Sequence, residues 1–155
     1  MKPPHPPATA ALVAMLCCAC SERVPVQLNA IEPAEGDEEL VGEAFDILGQ
    51  PFEFSDRRRG TINLVLVDLS DGRSGGRTIG RETRCYKALV ASRHASTIAH
   101  ELGHLLGLGH TCEPPDCDED DATNLMSGDV RRDDQLTDEQ MKQLDEGRRR
   151  LTRCR

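Results

Sequence analysis

The residues of this chain best suited to chemistry lie in one run, STIAHELGHLLGLGH, from Ser96 to His110. His100 and His104 stand one helical turn apart, so on a helix both imidazoles project from one face toward a common point. Zinc accepts neutral imidazole nitrogens at about 2.0–2.1 Å, and a catalytic zinc site keeps three protein ligands plus one open position. A continuing helix would aim His110 elsewhere. Gly107 resolves this, because glycine accepts a positive φ, ends the helix and turns the chain so that His110 can reach the metal. Gly103 and Gly109 offer further room for close backbone approach. Glu101 is an acid that is hard to explain as core. Beside a metal-bound water it would take a proton and pass it to a leaving amine. The chemistry implied is hydrolysis by activated water, because zinc lowers the pKa of its bound water to about 7 and polarises a carbonyl.

Three histidines, one glutamate and one glycine at this spacing would arise in a random chain of this length roughly once in 10^5, so coincidence is a poor account of them. The pattern is the extended form HExxHxxGxxH. From about residue 24 to the end, the chain resembles the catalytic domain of the metzincin clan of zinc peptidases. A second feature carries the same resemblance. Metzincins place a methionine in a tight turn beneath the zinc, and NLMSG sets Met126 between Asn124 and Gly128 downstream of the third histidine. By resemblance, Met126 packs under the histidines without ligating. The stretch LTDEQ at 136–140 is similar to the start of the C-terminal helix in small bacterial members, and matrixin-like bacterial proteins are the nearest in pattern. The resemblance implies one catalytic zinc on His100, His104 and His110, with Glu101 as base and a polypeptide substrate. Three departures stand out. Gly128 occupies the place where astacins and serralysins carry a tyrosine able to approach zinc. No matrixin cysteine-switch propeptide precedes the domain. The domain is also short for the clan, so the usual cleft loops are expected to be trimmed.

The elements that must hold this site can be read from hydropathy patterning. Val24 to Ile31 alternates as a strand does, and Glu38 to Leu48 sets Leu40, Val41, Ala44, Phe45 and Leu48 at helical spacing. Gly49 and Pro51 close that helix. A short extended piece is expected at Phe52–Phe54. The branched aliphatic run Ile62 to Leu69 reads as the clearest strand and a central one. Residues 70–80 are glycine-rich, so a loop with at most a short edge strand is expected there. Tyr86 to Ala91 reads as another strand. In the motif helix Ser96 is the expected N-cap, with Ile98, Leu102, Leu105 and Leu106 facing the core. A last helix is expected near Thr137–Leu151. The expected class is α/β (α+β): a small zincin-like domain whose twisted mixed sheet packs on the active-site helix.

Composition bounds the rest. At 155 residues, 37% hydrophobic and 30% charged, the chain suits one compact domain, and with three Phe, one Tyr and no Trp its core must be aliphatic. A net charge of −8 argues against nucleic acid, which needs a basic face. No oligomer is indicated, so a monomer is expected. Residues 1–20 read as a signal peptide: Lys2 precedes the small, apolar run Ala8 to Ala19, too short to span a bilayer. The cysteines ending it resemble a bacterial lipoprotein signal, with Cys20 the best candidate for lipidation and Cys17 or Cys18 the alternatives. A plain secretory signal is the other reading. Residues 21–155 would then form the catalytic domain in an oxidising compartment. There Cys85, Cys112, Cys117 and Cys154 allow three pairings, of which Cys112–Cys117 and Cys85–Cys154 are favoured. A second, cysteine-ligated zinc like that of archaemetzincins competes with this, but the required C-x-x-C pair is missing. The run Asp116 to Asp121 is a solvated acidic loop or, less simply, a calcium site. His94 reads as a surface or capping residue. Arg148–Arg150 most simply oppose the dipole of the last helix.

Overall fold

The computed structural model describes residues 23–29, 34–56, 60–68, 76–78, 86–112, 115–118, 123–128 and 133–154. The signal-like residues 1–20, with Cys17, Cys18 and Cys20, lie outside these, as do Cys85 and residues 119–121 of the acidic run. Among the described residues, five strands and three helices follow in chain order: β1 (Val24–Leu28), α1 (Asp37–Ile47), β2 (Phe52–Phe54), β3 (Thr61–Val67), β4 (Gly76–Thr78), β5 (Tyr86–Ser92), α2 (Ala95–Leu106) and α3 (Asp138–Thr152). They make an α/β fold around one sheet of order β2-β1-β3-β5-β4.

The strands β2, β1, β3 and β5 are mutually parallel, and β4 runs antiparallel along the outer edge of β5. Strand β3 is central, as its run of branched residues suggests. Its side chains alternate in burial, with Ile62, Leu64 and Leu66 inside and Asn63, Val65 and Val67 only partly covered. A period of two therefore survives, and one face of the sheet carries the core. In register beside it, Val26 of β1 pairs with Ile62, and Leu89 of β5 pairs with Leu64.

The helices supply the other half of that core. Val41, Ala44 and Phe45 come from α1 and Leu48 from its C-cap, Ile98, Ala99, Leu102, Leu105 and Leu106 from α2, and Leu144 and Leu151 from α3. Phe45 stacks on Phe52 with centroids 4.6 Å apart. Helix α3 begins with a capping box: Thr137 Oγ1 accepts from Gln140 N, and Gln140 Oε1 accepts from Thr137 N. Helix α2 begins two residues earlier than expected. Its N-cap is His94, whose extended backbone precedes Ala95. Ser96 is thus inside the first turn, its hydroxyl 2.9 Å from His94 Nδ1. Arg148 does more than oppose a dipole, since its Nε donates to the buried Gln50 at 3.0 Å. Among the described residues no helix is long and apolar enough to cross a membrane.

Cys112 and Cys117 form a disulfide, and Cys154 is disulfide-bonded as well. Two tethers therefore act on the chain that follows α2.

Candidate metal centre

The face of α2 opposite its leucine stripe carries the two helical histidines. His100 is almost fully buried, His104 is half-buried and His110 is exposed. Their Nε2 atoms converge: His100 to His104 is 3.1 Å, His104 to His110 is 2.9 Å, and His100 to His110 is 3.2 Å. These three residues form a group able to hold a metal ion. Two nitrogens sharing a tetrahedral zinc at about 2.0–2.1 Å lie roughly 3.3 Å apart, close to the measured spacings.

The chain folds to this arrangement through the end of α2. Gly107 sits at φ 112°, and the turn closes with Gly107 N donating to His104 O at 3.0 Å and Leu108 N to Gly103 O at 2.9 Å. This double closure satisfies the last helical carbonyls and reverses the chain. It also seats Leu108, buried at 4% exposure, so that its carbonyl lies 2.9 Å from His104 Nδ1. On the other side, Leu125 O lies 2.7 Å from His100 Nδ1.

These two carbonyls decide the chemistry of the rings. A carbonyl oxygen only accepts, so Nδ1 of His100 and of His104 must carry the proton. In a neutral imidazole the other nitrogen is then a bare lone pair. His100 and His104 thus point lone pairs at each other across 3.1 Å, an arrangement that repels unless a cation sits between them. One shared proton could relieve only one of the three close pairs. A divalent ion relieves all of them, and three neutral imidazoles are an ordinary zinc donor set. The residues present fit a metal.

Met126 lies at 0% exposure against α2 at Gly103. A Cβ at Gly103 would fall 2.6 Å from Met126 Sδ, so the room made by Gly103 is occupied by that side chain. Gly109 has no such neighbour; a Cβ there would meet nothing within 4 Å. The expected close approach exists at Gly103 alone. The turn holding Met126 is closed by Ser127 N donating to Asn124 O at 3.0 Å. It is laced to the strand of chain after His110 by Thr111 N to Met126 O and Gly128 N to Cys112 O, both 3.0 Å. His110 therefore sits between two anchored points, Leu108 and Thr111.

Glu101 follows the first metal-facing histidine and is buried at 9% exposure. It stands three residues before His104, which makes the two neighbours along the helix surface, while the trio itself consists of histidines alone. Asp116 and Asp118 of the acidic run are exposed; among the described residues they join no metal-holding group.

The orienting groups were not legible in advance. Leu108 and Leu125 act through backbone carbonyls, which no residue type reveals. Asn124 and Gln140 form a reciprocal side-chain pair, with Asn124 Nδ2 donating to Gln140 Oε1 at 2.9 Å and Gln140 Nε2 to Asn124 Oδ1 at 3.0 Å. The signals for that pair were the asparagine of NLMSG and the T-x-x-Q capping spacing at Thr137–Gln140. No family model matches this chain, and no curated protein matches it either.

Proposed function

We propose that the chain is a zinc-dependent endopeptidase of metzincin type, with residues 21–155 as its catalytic domain. The observation that carries this reading is the convergence of three imidazole nitrogens within 3.2 Å, two of them bared by carbonyl contacts at Nδ1. Zinc, when bound, supplies Lewis acidity, making water a nucleophile near neutral pH and polarising a carbonyl. His100, His104 and His110 hold it. The gradient of burial from His100 to His110 leaves the site open to solvent on the His110 side, where a polypeptide can enter. Glu101 accepts the proton of the attacking water at its carboxylate and returns it to the departing amine. Met126 fills the space under the rings and keeps water from reaching them from below. Gly107 supplies the reversal that brings His110 back. Calcium has little support, since the acidic run contributes exposed carboxylates.

The protein acts outside the cytoplasm in this reading, as a monomer anchored through lipid at Cys20 or else released. The Cys112–Cys117 disulfide supports an oxidising compartment, and the net charge of −8 favours partners other than nucleic acid.

The deciding comparison is between the parent and Glu101→Gln. Both should bind one zinc per chain by metal analysis. Cleavage of a peptide library should fall by about 10^2–10^4-fold in the variant and vanish from the parent with chelator. A second reading is a binding module of the cell envelope that keeps its zinc and turns over nothing. No cleavage from either protein with zinc bound would establish that reading instead, whereas equal cleavage by both would remove Glu101 from the mechanism.

A further inference from the structure

We infer that Gln140 and Asn124 are positioning residues for the metal centre, acting on His100 through the carbonyl of Leu125. The inference rests on the metal reading above and extends it to side chains remote from the imidazoles. Asn124 Oδ1 accepts from Met126 N at 2.9 Å and from Gln140 Nε2 at 3.0 Å. Gln140 Oε1 accepts from Thr137 N at 2.8 Å and from Asn124 Nδ2 at 2.9 Å. Backbone N–H groups only donate, so each amide oxygen is identified by the N–H it faces. Both amides are thereby held in one orientation, and neither can flip without setting two like groups against each other.

This pair stands between the first turn of α3 and the turn that contains Leu125. Asn124 closes that turn twice, by its side chain to Met126 N and by its carbonyl to Ser127 N. Leu125 lies inside the closure, its N–H donating to Gln135 O at 2.8 Å and its carbonyl facing His100 Nδ1 at 2.7 Å. The orientation of that carbonyl sets which nitrogen of His100 is bare and where it points. Groups that orient a metal-binding imidazole from behind typically change metal affinity by about 10–100-fold when removed. Here the orienting carbonyl is itself held by the Asn124–Gln140 pair. The cap of α3 and the metal centre are one hydrogen-bonded unit.

The substitutions separate positioning from plain stability. Thr137→Ala removes the hydroxyl that caps α3 but leaves both amides in place. Gln140→Glu keeps an acceptor for Thr137 N, so the helix stays capped, but sets a carboxylate oxygen against Asn124 Oδ1. Zinc affinity of the full chain would be measured by competition with a chromophoric chelator, and thermal unfolding would be measured in excess chelator. Thr137→Ala is expected to lower the unfolding midpoint and bind zinc within about 2-fold of the parent. Gln140→Glu and Asn124→Ala are expected to bind zinc about 10-fold or more weakly, and their combination no more weakly than either alone. A metal-free readout accompanies these. The Nδ1 proton of His100 should exchange slowly in the parent and in Thr137→Ala, and rapidly in Gln140→Glu. Gln140 variants that bind zinc as tightly as Thr137→Ala, or that leave the His100 proton slow to exchange, overturn the inference. A parent that fails to bind zinc sinks the peptidase reading, while the proton exchange still decides whether Gln140 positions His100.

Discussion

The carbonyl of Leu108 orients His104, and Leu108 is where it is because Gly107 turns the chain at φ 112°. One glycine thus serves two members of the histidine trio, the ring of His104 behind it and the approach of His110 ahead. An alanine at Gly107 would meet no atom within 4 Å, so its whole cost is backbone strain, about 1–2 kcal/mol for a left-handed L-residue. Gly107→Ala should therefore lower stability by that amount in denaturant unfolding and, on the proposed reading, weaken zinc binding beyond it, because both rings shift. Gly109→Ala is the matched control. It has open space and no positive φ, and should stay within about 0.5 kcal/mol of the parent. Equal zinc affinity in the two variants would sever Gly107 from the site. The histidine spacing was legible because a helix converts a difference of four in residue number into a shared face. The carbonyls behind the rings were not, since every residue has one and only the folded turn selects which is used.

Helix α3 crosses the end of α2 where no side chain fits. A Cβ at Gly147 would lie 1.8 Å from Leu106 O, and Leu106 is the last residue of α2. Nothing but a shift of one helix could admit it. Gly147→Ala should cost roughly 2–3 kcal/mol by overpacking, read as a lowered midpoint in denaturant, and should disturb the three-histidine site because the displaced carbonyl adjoins Gly107. Gly42 lies inside α1 with nothing within 4 Å of its missing Cβ. There the same substitution should stabilise by about 0.5–1 kcal/mol. Destabilisation by Gly42→Ala equal to that by Gly147→Ala would show that packing is not the cause. The long elements could be read from the sequence because β3 is a run of branched aliphatic residues and α1 and α2 carry apolar stripes. Strand β2 falls on the expected short piece Phe52–Phe54 and β4 is the short edge strand allowed for in residues 70–80, although three residues each are too few to show a period. Strand direction was not legible at all: the parallel pairing of β1 with β2 and β3 depends on the path of the connections, which no local pattern encodes.

At the scale of the whole molecule, Arg93 joins three elements far apart in the chain. It follows β5 and precedes α2, its Nε donates to Asp37 at 2.8 Å, and its Nη1 lies 2.6 Å from Asp68 beyond the end of β3. Nothing in the sequence singled out this cluster, because Asp37 looks like an ordinary acid in the first turn of a helix and its partner is 56 residues away. The hydrogen bond from Arg93, above all, holds the Asp37 carboxyl below its usual range; burial opposes this, while the Ala34 N–H and the Arg93 charge add to it. Arg93 is held above its own ordinary value, first by Asp37 and then by Asp68. The sign of the acid response follows. A carboxyl with a lower pKa folded than unfolded adds stability that is complete above about pH 4. That stability fades as the pH falls through the ordinary carboxylate range, and it is gone below the lowered folded value. In chelator-treated protein, Asp37→Asn should thus unfold about 3–6 °C below the parent near neutral pH, with the gap narrowing steadily as the solution is made more acid than about pH 4. Chelation matters to the design, because any metal binding is itself pH-dependent and would add its own acid response. A gap that stays constant from neutral pH into the acid range would mean that Asp37 contributes its shape and hydrogen bonds alone, with its charge playing no part.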